Sequence, residues 1–103
     1  MSVAGIYDCV TRTPMGPQQG ALTVVPGDGD TFAGNITGDL GSMDVTDGRI
    51  SGNTLTWRMK MTMPMPIDLE CTATIDGDAL TGTVKAGMFG TMELAGVRRA
   101  WQA

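Results

Sequence analysis

The sequence contains no histidine, and this absence excludes more chemistry than any other feature of its composition. Histidine is the base of nucleophilic triads, the axial ligand of many haem groups and a ligand in most zinc and iron sites. A catalytic triad, a histidine-ligated haem and the common zinc and iron centres are therefore excluded.

Long apolar runs and an excess of positive charge are also missing. No stretch approaches the roughly 18 apolar residues of a membrane-spanning helix, and residues 1–6 have neither the basic start nor the apolar core of a signal peptide. The formal net charge is −4, so no positive field attracts a phosphate backbone or an anionic bilayer. We therefore expect no nucleic-acid partner, no membrane partner, a cytoplasmic location and two reduced cysteines.

Glycine, in contrast, is abundant, with 15 residues in a chain of 103. Without a collagen period, this frequency indicates many turns and hence many short strands. A chain of this length forms one domain with a thin core, and no segment shows a helical period with caps. The composition therefore predicts a single all-β domain over residues 1–103.

The two halves of the chain resemble each other at offsets of 48 to 50 residues. Segment 38–43 reappears as 87–92, and the turn segment 28–34 reappears as 76–82. Such a collinear series argues for an internal duplication with repeats at about 5–52 and 54–99, although Asp-Gly turns also recur in unrelated β proteins.

Each half divides into four strands separated by turns rich in glycine, aspartate and proline. The predicted strands are 6–13, 21–25, 31–37 and 42–50, followed by 54–63, 67–75, 79–86 and 91–99. Pro14, Pro17, Pro64 and Pro66 are expected in loops, where no ladder hydrogen bond is demanded of them. Eight antiparallel strands hide their edges most completely in a small meander barrel; a two-sheet β-sandwich is the alternative.

Alternation along these strands predicts an apolar inner face and a wet outer face. On the outer face, Arg58 and Lys60 oppose Asp68 and Glu70, a pairing that sets register and favours solubility. The inner face of the fifth strand consists of Leu55, Trp57, Met59, Met61 and Met63.

The first and last strands carry a resemblance to a known superfamily. Gly5-Ile6-Tyr7 and Arg98-Arg99 resemble the Gly-x-Trp and the terminal arginine of calycins, which include lipocalins, fatty-acid-binding proteins and avidins. In those barrels the arginine packs across the aromatic ring and helps to close the barrel. The resemblance therefore implies such a contact between Arg98 and Tyr7, which stands here in place of tryptophan.

The turns carry a second resemblance. Segments 13–16, 47–55 and 76–82 are similar to the turns of a small barrel module of bacterial proteins. That module is often appended to enzymes and has no general activity, so the resemblance implies a fold and leaves the function open.

The methionine-rich inner stripe has three interpretations. Methionine fills irregular gaps in a core, and flexible methionine walls also accommodate apolar ligands. Thioethers and thiols suit Cu(I), but donors on one strand lie about 7 Å apart and do not converge, so we predict no metal site and no cofactor. A barrel of about eight strands can hold one small molecule. The predicted ligand-binding residues are Tyr7, Cys9, Thr11, Trp57, Met59, Met61, Met63, Cys71 and Arg98.

Three functions stay open from the sequence. The leading hypothesis is a barrel that binds a small apolar molecule in its methionine-lined interior. The second is a cofactor-independent isomerase, lyase or cyclase, with Tyr7, Asp8 and Arg98 as candidate catalytic residues. A carboxylate facing the lumen would favour that hypothesis strongly, but alternation places none there.

The third hypothesis is an accessory or interaction module without a pocket. An apolar outer patch around Ile50, Val97 and Trp101 would favour it, because such patches mark interfaces. Trp101, beyond the last strand, is either a dimer anchor or a barrel plug, which leaves a homodimer open.

Overall fold

A computed structural model describes residues 3–13, 16–39, 41–61, 67–87 and 90–99 of the chain, and of Met61 only the backbone. The predictions for Pro14, Met63, Pro64, Pro66 and Trp101 therefore fall outside the described residues. Within the described part the strands are β1 (Gly5–Thr13), β2 (Gly16–Pro26), β3 (Thr31–Gly38), β4 (Gly41–Asp44), β5 (Thr46–Ser51), β6 (Thr54–Met61), β7 (Ile67–Asp76), β8 (Ala79–Lys85) and β9 (Thr91–Arg98).

The strands form a closed antiparallel barrel in which β1, β2, β3, β5, β6, β7, β8 and β9 pair in turn. The ladder between β1 and β9 closes the ring, with Tyr7 opposite Arg98 and Arg12 opposite Glu93. The short strand β4 pairs with the second half of β3. This arrangement confirms the predicted eight-strand meander barrel and rules out the two-sheet alternative.

The predicted fourth strand, 42–50, is interrupted. It consists of β4 and β5, and the β5–β6 ladder shifts register between Thr46 and Arg49. Asp47 has a φ of +52°, and Gly48 is buried so closely against Phe32 that a Cβ would overlap the Phe32 carbonyl oxygen. A bulge of this kind adds one residue and reverses which side chains face inward.

That reversal corrects one expectation for the outer surface. Ile50, proposed as part of an outer apolar patch, packs against the core instead. Before the bulge Met43 and Val45 face the core, and after it Gly48 and Ile50 do so.

The second strand is longer than predicted, because it begins at Gly16 and includes Pro17, which was expected in a loop. The Gln19 carbonyl accepts a hydrogen bond from the Asp39 N–H beyond the end of β3, and the Gln19 N–H donates one to the Asp39 carboxylate. Alternation therefore directs the backbone of Pro17 toward the β3 side, where β3 has already ended. No hydrogen bond of the β2–β3 ladder requires an N–H from residue 17, so proline is tolerated at this position.

Equivalent positions of the two proposed repeats share local geometry. Gly29 and Gly77 both have a φ of +64° in the turns after β2 and β7. At Gly34 and Gly82 a Cβ would overlap a backbone carbonyl of the neighbouring strand, that of Thr23 in one half and Thr72 in the other. The duplication itself stays a prediction from sequence.

The fully buried part of the described interior is apolar. Its buried residues are Val3, Tyr7, Cys9, Leu22, Val24, Phe32, Leu55, Trp57, Met59, Leu69, Cys71, Ala73, Ile75, Leu80, Val84, Ala86 and Leu94, and none of the buried residues described is charged. The predicted outer pairs are also present, since Arg58 lies opposite Glu70 and Lys60 opposite Asp68. Among the described residues, no helix is long and apolar enough to cross a bilayer.

Candidate functional site

One end of the barrel is closed by Arg98 and Tyr7. The Arg98 Cζ atom lies 5.2 Å from the centroid of the Tyr7 ring, which is the contact that the calycin resemblance implies. Arg98 Nη1 donates a hydrogen bond to the carbonyl of Ala4 (3.0 Å), and Nη2 donates one to the carbonyl of Gly77 (2.8 Å). Its Nε lies 3.3 Å from the carboxylate of Asp78. The guanidinium is thus held by groups of the protein itself.

Tyr7 is fully buried beneath this guanidinium. Its hydroxyl donates a hydrogen bond of 2.8 Å to the carbonyl of Val3, and burial raises the pKa of the phenol. A phenol whose proton is held by a backbone carbonyl and whose ionisation is disfavoured is poorly suited to carry a proton for catalysis.

Asp8, the third candidate catalytic residue, lies on the outer face. Its carboxylate accepts a fork of hydrogen bonds from Arg99, with the shortest contact, from Nη2, at 2.8 Å. Hydrogen bonding to Arg99 lowers the pKa of Asp8. The described residues include all eleven acidic side chains of the chain, and every one of them is exposed. The lumen therefore lacks the carboxylate that would have favoured the enzymatic hypothesis.

The two cysteines are buried in the barrel wall, and neither is in a disulfide. The Cys9 thiol contacts the Tyr7 carbonyl at 3.5 Å, and Cys71 lies opposite Trp57 in the β6–β7 ladder. Burial raises the pKa of Cys9 to about 11 and that of Cys71 to about 12. Both thiols are neutral near pH 7, so they are inert packing groups rather than nucleophiles.

Trp57 lies at the centre of the interior, where only 2% of its surface is exposed. Its ring meets Phe32 edge to face, with centroids 5.9 Å apart and planes at 77°. The indole Nε1 is buried and has no hydrogen-bond partner in the part of the chain that the structure describes. Buried donors are almost always paired, so this N–H is an exception within an otherwise apolar lumen.

At the end of the barrel opposite Arg98, the described inner wall is only partly buried. Inward-facing apolar side chains there are half-buried and pack against the core: Ile36, Met43, Ile67 and Met92. Thr11 and Gln18, which lie opposite each other in the β1–β2 ladder, are half-buried on the same inner face. Met59 lies deeper and is buried. The inner wall is thus sealed at one end and partly accessible at the other.

A seam runs along the wall between β4 and β6. The β5–β6 ladder ends at the pair Thr46 and Arg58, and no ladder joins the described residues of β4 to β6 although the two strands are neighbours. Val45 donates its N–H to Gly34, so alternation directs the backbone of Asp44 away from β3 and toward this seam. The Arg58 carbonyl accepts a hydrogen bond from Thr46 Oγ1, so the backbone of Arg58 faces β5. Lys60 lies two residues later on the same strand, and alternation therefore directs its backbone toward the seam.

Two shallow clefts lie on the outer surface. One crosses the outer faces of β1, β8 and β9 and includes Val10, Thr83 and Val97. The other crosses β1, β2 and β3 around Ala21 and Thr37. Val97 is 60% exposed, but without Ile50 the apolar outer patch proposed from the sequence is not formed by the described residues.

The predicted ligand-binding residues thus separate into three groups. Tyr7 and Arg98 form the closed end, whereas Cys9, Trp57, Met59 and Cys71 form the buried middle. Thr11 lies toward the partly covered end, the backbone of Met61 lies there as well, and Met63 is outside the described residues.

Sequence reasoning missed several residues of the inner wall. Met43 and Met92 follow the same alternation as the predicted residues, so a systematic count of inward positions would have included them. Gln18 could not have been found this way, because the second strand was predicted to begin after it.

Comparison of the chain with protein-family models, with curated proteins and with solved structures finds no match. The function is therefore argued from the geometry of the barrel.

Proposed function

We propose that the protein binds a small apolar molecule in the lumen, entering from the end opposite Arg98. The observation that carries this proposal is the half-burial of Ile36, Met43, Ile67 and Met92 on the inner wall at that end. An apolar, concave and partly accessible surface is the usual form of a small-molecule site. The methionines adapt their shape to the ligand, because their side chains are unbranched and flexible.

Two features support this function over the alternatives. An enzymatic role lacks an inward carboxylate, and Tyr7, Arg98 and Asp8 are each engaged by other groups of the protein. The copper interpretation is disfavoured because methionine donors two residues apart on one strand lie about 7 Å apart and do not converge. We further propose a cytoplasmic location, because free thiols persist in a reducing compartment. We also propose that the barrel is calycin-like.

Uptake of Nile red, a neutral apolar dye, by the purified chain tests the proposal. We expect one dye per barrel, with a fluorescence increase and a matching mass in native mass spectrometry. Met92→Glu places a charge on the inner wall and should weaken uptake at least about tenfold, because the carboxylate must be desolvated beside the ligand.

Thr91→Glu is the matched control, since Thr91 is the neighbour of Met92 on β9 and faces outward. It should leave uptake unchanged. A wild-type chain that takes up no dye would overturn the proposal, and equal losses in the two variants would place the dye on the outer surface.

A further inference from the structure

The chemistry around Trp57 indicates what kind of molecule the lumen accepts. The Nε1–H of Trp57 is buried and unpaired, and its ring is packed edge to face against Phe32. The opposite residue in the β6–β7 ladder is Cys71, whose thiol is only a weak acceptor. Among the described fully buried side chains, Tyr7 alone carries an oxygen, and its hydroxyl is engaged with the carbonyl of Val3.

The charges near the lumen limit the ligand further. None of the buried residues described is charged. Arg98 is the inward-facing cation at the closed end, and it is bound to the carbonyls of Ala4 and Gly77 and to Asp78. A carboxylate in the middle of the lumen would lose its hydration without gaining a counter-charge, which strongly disfavours it.

We propose that the ligand is a neutral, largely apolar molecule with one hydrogen-bond acceptor, such as a ketone, ester or ether oxygen. This oxygen accepts a hydrogen bond from the Nε1–H of Trp57. The inference rests on the proposed function and adds the chemical class of ligand to it. Free fatty acids in their ionised form are excluded from the class, because no cation of the inner wall is available to pair with them. Trp57 is then the specificity-determining residue of the site.

Displacement of bound Nile red by three competitors of equal chain length tests this class: an alkane, a methyl ketone and an alkyl carboxylate. For the wild-type chain we expect the ketone to bind about tenfold more tightly than the alkane, the usual contribution of one neutral hydrogen bond. The carboxylate should be the weakest competitor at pH 7.

Trp57→Phe removes the donor and keeps an aromatic ring. In this variant the ketone and the alkane should displace the dye equally well, with the affinity for the alkane within about twofold of wild type. Trp101→Phe changes the other tryptophan of the chain and should keep the tenfold preference.

A measurement on the folded chain without a change at position 57 guards against a variant that fails to fold. In a ¹⁵N–¹H spectrum of Trp101→Phe, the single remaining indole signal belongs to Trp57. It should move downfield when the ketone binds and stay nearly unchanged when the alkane binds. An unchanged signal with the ketone, or preferred binding of the carboxylate, would overturn the ligand class while leaving the proposed function intact. A failure of Nile red to bind would overturn the proposed function first.

Discussion

The guanidinium of Arg98 lies 5.2 Å from the ring centroid of Tyr7 and joins the last strand to two other parts of the chain. Through Ala4 it holds the segment before β1, and through Gly77 and Asp78 it holds the turn between β7 and β8. The first and last strands of the barrel pair at this position. A single side chain therefore stabilises the closing ladder at this end of the barrel.

Arg98→Ala should lower the free energy of unfolding by roughly 2–3 kcal/mol, because two hydrogen bonds from a charged group and the cover of Tyr7 are lost. Arg98→Lys should recover only part of this loss, since an ammonium lacks the planar fork. Urea unfolding followed by circular dichroism measures both variants.

Arg99→Ala is the internal control, because Arg99 is the next residue and forms an exposed ion pair with Asp8. The free energy of unfolding of this variant should fall by less than about 1 kcal/mol, the usual range for a surface ion pair. Equal losses at the two arginines would show that Arg98 does not fasten the barrel end.

Gly96 and Cys9 form a second specific contact across the β1–β9 ladder. A Cβ on residue 96 would lie 2.7 Å from the Cys9 Sγ and 3.0 Å from the Asp8 carbonyl oxygen. Gly96→Ala should therefore destabilise the barrel by about 1–3 kcal/mol, the usual range for overpacking.

In a Cys9→Ala background, Gly96→Ala should cost less, because the sulfur that it meets is gone. A double-mutant cycle of urea unfolding measures this coupling. Additive losses would mean that the backbone of Asp8, and not the Cys9 thiol, opposes the added methyl group.

The buried thiols make stability depend on pH in the alkaline range. In the folded chain the pKa of Cys9 is raised to about 11 and that of Cys71 to about 12, from an ordinary value of 9.0. Above about pH 9 the unfolded chain releases protons that the folded chain retains, so stability is full below that pH and falls as pH rises. The slope should approach about 1.4 kcal/mol per pH unit for each thiol.

Cys71→Ala and Cys9→Ala should each remove about half of this slope between about pH 9 and pH 10, whatever they do to stability at pH 7. The midpoint of urea unfolding at a series of pH values provides the measurement. A stability that stays constant over this interval in the wild-type chain would contradict the burial of the thiols.

The sequence allowed the barrel to be predicted because alternation is unbroken in most strands. In β6 and β7 every second residue is buried, from Leu55 to Met59 and from Leu69 to Ile75, so the inner face follows directly from the period. The same rule placed Asp8 outside, where it pairs with Arg99.

The rule failed for Ile50 because of one inserted residue. The bulge at Asp47 and Gly48 depends on the packing of Phe32 against Gly48, two residues that lie on different strands. A contact of this kind has no local signature in the sequence, yet it reverses the face of the residues that follow it in β5. The unpaired Trp57 Nε1 was beyond prediction for a similar reason, since a missing partner is a property of all the surrounding strands together.

The seam between β4 and β6 leads to a prediction about backbone exchange. Arg58 and Lys60 are exposed basic residues of the same strand, and their backbone groups point to the same side. Arg58 is paired with Thr46, whereas Lys60 lies beyond the end of that ladder. We expect the Lys60 amide hydrogen to exchange with solvent roughly a hundredfold or more faster than that of Arg58, because an amide without a ladder partner needs no opening of the barrel to exchange.

Residue-resolved hydrogen exchange by ¹⁵N–¹H spectroscopy makes the comparison within one sample. Met59 supplies the internal reference, because its backbone faces β7 and it pairs with Leu69; its amide should be as protected as that of Arg58. Similar protection of Lys60 and Arg58 would mean that β4 and β6 are hydrogen-bonded in solution and that the wall is continuous. Fast exchange at Lys60 alone would locate the opening of the wall beside Met59, near the end of β6. This is the end of the barrel where we propose that the ligand enters.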